Sequence, residues 1–341
     1  MRKFKKIIVI FAVTLILTAV SAYSLDINLG EVQKNADKFI ESMSKSLPFN
    51  SALGLNWSDA YIGQITAVPP RFGAGITAGF TTMEFDSINS MLVMFDIPLP
   101  EGLSQGGFPQ PGYVFDARIG GINYPFDFGF KFGMFNLKKD FWEKIKKEEV
   151  DFTMDYLLIG GDLRFAVFSR KTSPLNISIG IGFNYMKGNL SSQMPGDDPL
   201  ELDFDSRSLT ILKPVLTLLW ETKTLDFKAQ ASYKSSVFTP YIGFGAAHAW
   251  SGAGYRLTAD EEIKANGVAI DNNLFKDELK EFGLTGITAE SIEQYDNVSN
   301  WSFRIFTGFS INVPFIKIDL TGMFGFPGNS YGVTLGTRFQ L

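Results

Sequence analysis

The feature that most constrains this chain is the placement of apolar side chains at every second position, in segments of about ten residues between residue 72 and the C-terminus. In one such segment Phe72, Ala74, Ile76, Ala78 and Phe80 alternate with glycine or threonine. Because successive side chains of a β-strand point to opposite faces, a period of two predicts strands with one apolar and one polar face. The same alternation recurs in the segments 126–132, 175–185, 225–233 and 301–309. We therefore expect an all-β protein over most of the chain.

The composition excludes several classes of function. The chain has no Cys and a single His, so disulfide frameworks, thiol catalysis and metal sites built from cysteine or paired histidines are ruled out. Its 31 basic residues are outnumbered by 36 acidic ones, so no nucleic-acid partner is expected. General acid–base catalysis usually needs a positioned group such as His. We therefore expect no catalytic residues, no metal, no cofactor and no enzymatic activity.

Residues 1–22 have the pattern of a secretory signal peptide. Four basic residues within the first six precede an uncharged apolar run at 7–20, and small residues follow it. The run has 14 residues, fewer than the roughly 20 that a helix needs to span a bilayer. We expect cleavage before Tyr23 and export of the mature chain through the inner membrane.

The final segment alternates to the last residue, at Tyr331, Val333, Leu335, Thr337, Phe339 and Leu341. With the export signal and the aromatic residues near segment ends, this pattern resembles the outer-membrane β-barrels of double-membraned bacteria, over roughly residues 72–341. The resemblance implies an antiparallel transmembrane β-barrel located in the outer membrane. It also implies two partners, the outer-membrane lipid and the outer-membrane insertion machinery. A secreted soluble β protein would alternate in the same way and is the competing interpretation.

The number of strands follows from parity. Eleven alternating segments can be read, at 72–82, 112–120, 126–135, 155–168, 175–187, 208–220, 225–235, 240–256, 300–311, 315–324 and 330–341. Bacterial single-chain barrels have an even number of strands, with short periplasmic turns and longer outer loops. If residues 208–235 form one long strand, with a β-bulge where the apolar positions change parity, ten strands result and every long loop lies outside. An additional strand at 52–64 would give the alternative of twelve.

Residues 23–70 precede the barrel, which we assign to 71–341. Apolar residues at helical spacing predict an amphipathic helix, and they are Val32, Ala36, Phe39, Ile40, Met43 and Leu47. The helix is expected either to pack under the barrel mouth or to lead into a candidate plug that contains Trp57, Asp59 and Tyr61. This arrangement is similar to that of the FadL-type fatty-acid transporters, whose N-terminal segment forms a hatch inside the barrel, and the similarity implies a small or hydrophobic solute as a partner.

Charged residues alternate with the apolar ones and are expected to face the lumen, because a basic residue on the lipid face costs about 2–4 kcal/mol at the bilayer midplane. These residues are Asp116, Arg118, Asp127, Lys131, Asp162, Arg164, Asp226, Lys228, Lys234, Arg304, Lys317, Asp319 and Arg338. They either line an aqueous path or pair as ion bridges that fill a narrow barrel. Ten strands lie near the packed end of the size range, which favours ion bridges.

Aromatic residues at segment ends are expected at the membrane interface, and they are Trp250, Trp301, Tyr331 and Phe339. His248 belongs to the same outward set. A long loop at 257–299 carries ten acidic residues and is expected to be an exposed outer cap.

The leading hypothesis for function is passage of a small or hydrophobic solute across the outer membrane, gated by the N-terminal segment. The alternative is a structural or surface-interaction barrel with a packed, non-conducting lumen.

Overall fold

The computed structural model describes residues 26–83, 108–137, 152–170, 172–193, 200–204, 207–211, 215–258, 264–265, 268–269, 286–287 and 291–341. The predicted signal peptide, the segment 138–151 and most of the long loop at 257–299 lie outside these residues. The described chain forms, in order, β1 (Asp26–Asn28), α1 (Leu29–Asn50), β2 (Phe72–Met83), β3 (Phe108–Gly120), β4 (Phe126–Leu137), β5 (Phe152–Ser169), β6 (Leu175–Gln193), β7 (Leu200–Phe204), β8 (Arg207–Ile211), β9 (Val215–Tyr233), β10 (Phe238–Thr258), β11 (Lys264–Ala265), β12 (Val268–Ala269), β13 (Gly286–Ile287), β14 (Ser291–Val313), β15 (Ile316–Phe326) and β16 (Ser330–Gln340). In this part of the chain, no helix is both long and apolar enough to cross a membrane.

Ten of these strands close into a barrel. Each pairs antiparallel with its neighbours in the order β2, β3, β4, β5, β6, β9, β10, β14, β15, β16, and β16 pairs back with β2. The register between β10 and β14 is continuous from the pair Phe238 and Ile311 to the pair Thr258 and Ser291. The prediction of a closed ten-stranded antiparallel barrel is confirmed. The twelve-strand alternative is wrong, because residues 52–64 form no strand.

The two ends of the barrel differ. The short connections 121–125, 170–174, 234–237 and 314–315 lie at one end, called here the turn end. The connections that follow β2, β4, β6, β10 and β15 leave from the opposite end, called the loop end. There, residues 291–302 of β14 continue past the last residue that pairs with β15. The barrel wall is therefore higher on the side formed by β9, β10 and β14.

The β-bulge predicted within residues 208–235 is absent, which corrects that expectation. Residues 207–211 form the separate strand β8, and β9 pairs with β6 and β10 without a register shift. Leu216, Leu218 and Trp220 share the inward face of β9 with the polar residues that follow them, and all three are buried. The apolar set changes face because the loop-end part of β9 packs against α1, whereas its turn-end part faces an ionic lumen.

The outward face of the barrel is apolar and exposed, whereas the inward face is polar and buried. Along β16, Tyr331, Val333, Leu335 and Phe339 are each between 43% and 49% exposed, while Arg338 is 3% exposed. A soluble protein rarely presents a continuous apolar belt of this extent to water. The arrangement matches a barrel whose outer surface contacts acyl chains and whose polar groups pair inside.

Replacing Leu335 with Arg tests this interpretation of the belt. Leu335 lies midway along the outward face of β16, so the charge would meet the centre of the bilayer and lower the free energy of unfolding by about 2–4 kcal/mol. Denaturant titration of the barrel in lipid vesicles measures the change. The control is Asn297→Arg, at an exposed residue of the loop-end extension of β14, which should have little effect. Equal stability of the two variants would contradict a lipid-facing belt.

The predicted helix forms, and it lies in the mouth of the loop end. Asp37 accepts a hydrogen bond of 2.8 Å from Gln294 of β14, and the carbonyl of Ser44 accepts one of 3.3 Å from Asn300. On the exposed side of the helix, Lys45 donates a 2.7 Å hydrogen bond to Glu41, and this bond together with the positive charge lowers the pKa of Glu41. The helix thus enters the barrel from the loop end with its C-terminal end leading.

A second, smaller sheet lies beyond the loop end. Its order is β1, β7, β8, β11 and β12, and β1 pairs with β7 in parallel. The strands come from the segment before α1, from the connection between β6 and β9, and from the connection that follows β10. Three parts of the chain that are distant in sequence are therefore joined by backbone hydrogen bonds outside the barrel.

Candidate functional site

Residues 51–71, called here the lumen segment, run through the interior of the barrel between α1 and β2. Residues 51–60 are all buried and form no helix or strand. A buried backbone without regular structure needs other partners for its N–H and C=O groups. Inward-facing carboxylates accept several of these N–H groups, from Leu55 to Asp116 at 3.2 Å, from Ser58 to Asp319 at 3.3 Å and from Ile62 to Asp127 at 3.1 Å.

The carbonyl groups of the lumen segment are bound by inward-facing donors. Lys131 of β4 donates to the carbonyls of both Ser51 and Leu53 at 2.7 Å. Further donors are Gln230 to the carbonyl of Trp57 at 2.7 Å, Tyr241 to that of Asn56 at 3.0 Å, and Arg164 to that of Asp59 at 2.7 Å. Barrel side chains therefore replace the hydrogen bonds that secondary structure would otherwise supply.

A first group of charges joins four strands and is called here the Asp127 cluster. It comprises Arg118 of β3, Asp127 of β4, Asp162 and Arg164 of β5, and Lys228 of β9. Asp127 lies 2.5 Å from Arg118 and 2.8 Å from Arg164, and Arg118 reaches Asp162 at 2.7 Å. Lys228 also pairs with Asp162. All five side chains are buried, so each charge depends on its neighbours for compensation.

A second group binds the lumen segment to β15 and β16 and is called here the Asp59 cluster. Asp59 lies 2.5 Å from Lys317 and 2.9 Å from Arg338. Arg338 also pairs with Asp319 and donates a 3.1 Å hydrogen bond to the hydroxyl of Ser58. Asp59 is 2% exposed, so these ion pairs are shielded from solvent. The cluster fixes the middle of the lumen segment against the wall through charge.

Trp57 occupies the space between the two clusters. The guanidinium carbons of Arg338 and Arg118 lie 4.5 Å and 5.7 Å from the centre of its ring, so both cations contact the indole. The ring also packs on Gly73, where a Cβ atom would lie 3.0 Å from the indole. A side chain at residue 73 would clash with the carbonyl oxygen of Phe339, at 2.7 Å, and press against the indole.

Gly54 permits the sharpest bend of the lumen segment. Its φ is 79°, a conformation that residues with a Cβ rarely adopt, and an added Cβ would lie 2.4 Å from the side chain of Val114. The bend carries the chain past β3 and directs the carbonyls of Ser51 and Leu53 toward Lys131. Glycine at this position is therefore required by backbone conformation and by space.

Of the thirteen charges expected in the lumen, eleven are buried, namely Asp116, Arg118, Asp127, Lys131, Asp162, Arg164, Asp226, Lys228, Arg304, Asp319 and Arg338. Arg304 forms a bidentate ion pair with Asp226, in which Nη1 lies 2.8 Å from Oδ1 and Nη2 lies 2.7 Å from Oδ2. Lys317 is half-buried near the turn end. Lys234 follows the last residue of β9 and is exposed at the turn end, where its charge acts on Asp59.

The remaining residues singled out by sequence are those of the candidate plug and those expected at the membrane interface. Trp57 and Asp59 are buried in the lumen segment, whereas Tyr61 is half-buried. The four aromatic residues expected at the interface, Trp250, Trp301, Tyr331 and Phe339, are between 44% and 51% exposed on the outward face.

His248 packs on the same outward surface, with ring-centre distances of 4.6 Å to Trp250 and 5.0 Å to Trp301. The hydroxyl of Ser299 lies 3.4 Å from Nε2 of His248, whereas Ser251 points inward and contacts Thr222. Among the described residues, no group of three His, Asp or Glu side chains is arranged to hold a metal ion.

The space beside the lumen segment includes one small cavity. A cavity lined by Asn56, Lys131, Asp162, Asn184 and Arg304, among others, has a volume of about 10 Å³, enough for roughly one water molecule.

The sequence did not identify Lys131, Gln230 or Tyr241 as donors to the lumen segment. The alternation of the strands indicated that these side chains face the lumen, but no sequence pattern indicated which carbonyl groups they bind.

Comparison with known proteins gives a family match and several similar solved structures. The family model described as Lsa36-like matches residues 22–341. No curated protein sequence matches the chain at a significant level. Similar solved structures include the outer membrane protease OmpT of Escherichia coli, at 9% identity, with 80% of this chain and 97% of that chain covered and a TM-score of 0.43. A major outer membrane protein of Thermus thermophilus is also similar, at 9% identity, 80% and 98% coverage and a TM-score of 0.32.

The attachment invasion locus protein Ail of Yersinia pestis matches at 10% identity, with 80% of this chain and 97% of that chain covered and a TM-score of 0.23. At these identities and TM-scores, the similarities say nothing about the activity of this chain. The expected similarity to FadL-type transporters stays a prediction.

Proposed function

This chain belongs to the Lsa36-like family, and from that premise we propose that it is an outer-membrane β-barrel with a closed lumen that acts through its cell-surface side. The family match from residue 22 to residue 341 includes the lumen segment as well as the barrel, so we treat the two as one functional unit. The proposed partners are the outer-membrane lipid, the insertion machinery and a molecule that contacts the loop end. The proposed role involves no chemical reaction.

The observation that carries this proposal is the filled interior. The lumen segment is bound by hydrogen bonds to side chains on opposite sides of the wall, and the Asp59 cluster adds ion pairs. Solute passage, the other role considered, would require the segment to leave and would expose several buried charges without partners. Breaking one buried ion pair typically costs about 3–5 kcal/mol, so permanent closure is the simpler function for this interior.

Location in the outer membrane is supported by two independent features. The exposed apolar belt requires a lipid environment, and the predicted signal peptide provides export through the inner membrane. The asymmetry of the barrel supports its orientation, because outer-membrane barrels have short turns on the periplasmic side and longer loops outside. We therefore propose that the loop end faces the exterior.

The small sheet at the loop end supports a role in surface contact. It joins β1 to strands from two outer connections, so the segments that emerge from the barrel are held together. The second of these connections covers residues 259–290 and carries eight acidic residues; it is shorter than the predicted loop at 257–299, because residues 257–258 belong to β10 and residues 291–299 to β14. An acidic connection on this side of the barrel fits a partner that carries positive charge.

Measurement of conductance and solute uptake tests the closed lumen. We expect the wild-type barrel to give no steady current in planar bilayers and no sugar-driven swelling of liposomes. The variant Gly54→Ala places a Cβ against Val114 at a positive φ, which should weaken the seating of the lumen segment by about 1–3 kcal/mol and produce transient current.

The control for this measurement is Gly322→Ala, because a Cβ at Gly322 has its nearest neighbour at 4.0 Å and fits without displacement. The Gly322→Ala variant should give no more current in planar bilayers than the wild type. Steady current or solute uptake by the wild-type protein would contradict the closed lumen and favour passage of a solute.

A further inference from the structure

We propose that the barrel carries its own N-terminal segment across the outer membrane, so that β1 and the first turns of α1 stand on the cell surface. The inference rests on the orientation proposed above, with the loop end outside. It adds a direction: the chain passes through the lumen from the exterior to the periplasm before the first barrel strand begins.

The contacts of the segment establish this direction. Read along the chain, its partners move from the loop end to the turn end: Asp37 meets Gln294, Asn50 meets Gln110, Ser51 meets Thr224, Ala60 meets Ser232 and Ile65 meets Gly121. Gln294 lies near the start of β14, and Gly121 lies in a connection of the turn end. The chain therefore crosses the whole height of the barrel in one pass.

The beginning of the segment is held at the loop end. In β1, Asp26, Ile27 and Asn28 pair in parallel with Glu201, Leu202 and Asp203 of β7, which belongs to a connection on that side. If the signal peptide is removed before Tyr23, three residues precede β1, and fully extended they reach about 10 Å. That distance is too short for a return through a membrane roughly 30 Å thick.

The filled lumen also excludes a second pass of the chain. The cavity beside the segment has a volume of about 10 Å³, whereas an extended chain needs the width of a backbone with its side chains. An uncleaved leader would therefore have to stay on the same side as β1. The pairing of β1 with β7 makes the N-terminal end of the segment part of the sheet at the loop end.

Thiol labelling of intact cells tests the inference directly. The protein has no Cys, so each single-Cys variant carries one thiol. The test variant is Lys34→Cys, at an exposed residue in the first half of α1. The exterior reference is Asp296→Cys, in the exposed loop-end extension of β14, and the periplasmic reference is Ser236→Cys, in the exposed connection between β9 and β10. A membrane-impermeant maleimide is applied before and after lysis.

We expect Lys34→Cys and Asp296→Cys to be labelled to the same extent on intact cells, and Ser236→Cys to be labelled only after lysis. Labelling of Asp296→Cys without labelling of Lys34→Cys would overturn the inference while leaving the proposed orientation intact. Labelling of Ser236→Cys on intact cells without that of Asp296→Cys would instead refute the orientation, and the proposed function with it.

Heat-modifiable migration on a denaturing gel shows that each variant is a folded barrel before its labelling is scored. If Lys34→Cys does not fold, Lys38→Cys, also exposed on α1, takes its place and carries the same two outcomes.

Discussion

Replacing Asp127 with Asn is expected to lower the free energy of unfolding of the barrel by about 3–5 kcal/mol, because it leaves two buried guanidinium groups without their shared carboxylate. Asp127 is fully buried and pairs with both Arg118 and Arg164. The amide of Asn keeps the size of the side chain but carries no charge. It also weakens the acceptor for the N–H of Ile62, which lies 3.1 Å from Asp127, so the lumen segment loses an anchor at the same time.

The matched control is Asp296→Asn, the same substitution at an exposed residue of β14. Exposed charges contribute between about 0 and 1 kcal/mol, so its unfolding midpoint should stay near that of the wild type. Both variants are refolded into lipid vesicles and titrated with denaturant. A midpoint for Asp127→Asn equal to that of Asp296→Asn would mean that the Asp127 cluster contributes nothing to the folded state.

Together with the export signal and the final segment, the alternation of apolar residues predicted the barrel, because lipid on one side and paired charges on the other impose a period of two on every strand. It was insufficient for the upper part of β9. There Leu216, Leu218 and Trp220 point inward against α1, so an apolar side chain no longer indicates lipid. A parity argument assumes one environment on each face, and the helix in the mouth of the barrel provides a second.

The path of the lumen segment could not be predicted for a different reason. Residues 51–60 have no period, and side chains from strands distant in sequence supply many of their hydrogen bonds. Trp57 and Asp59 could be recognised as candidates for a plug by their chemistry alone. The direction of the segment depends on which end of the barrel binds α1, and an amphipathic pattern contains no information about that choice.

Truncation of Trp57 to Ala should have the second large effect, and it should act on the lumen segment more than on the barrel wall. Trp57 is 2% exposed and separates Arg118 from Arg338. Removal of a buried Trp side chain typically costs about 3–5 kcal/mol, because the cavity is only partly filled by relaxation. Here the cavity would lie between two cations, so water is expected to enter and the segment to detach transiently.

The matched control is Trp250→Ala, which removes a Trp that is 51% exposed on the outward face. That variant keeps the lumen segment in place and should stay electrically silent. For Trp57→Ala we expect brief openings in planar bilayers together with a lower denaturation midpoint, while the heat-modifiable band of the folded barrel persists. If Trp57→Ala is silent and as stable as Trp250→Ala, the indole does not hold the segment in the lumen, and closure must depend on the Asp59 cluster and the backbone hydrogen bonds alone.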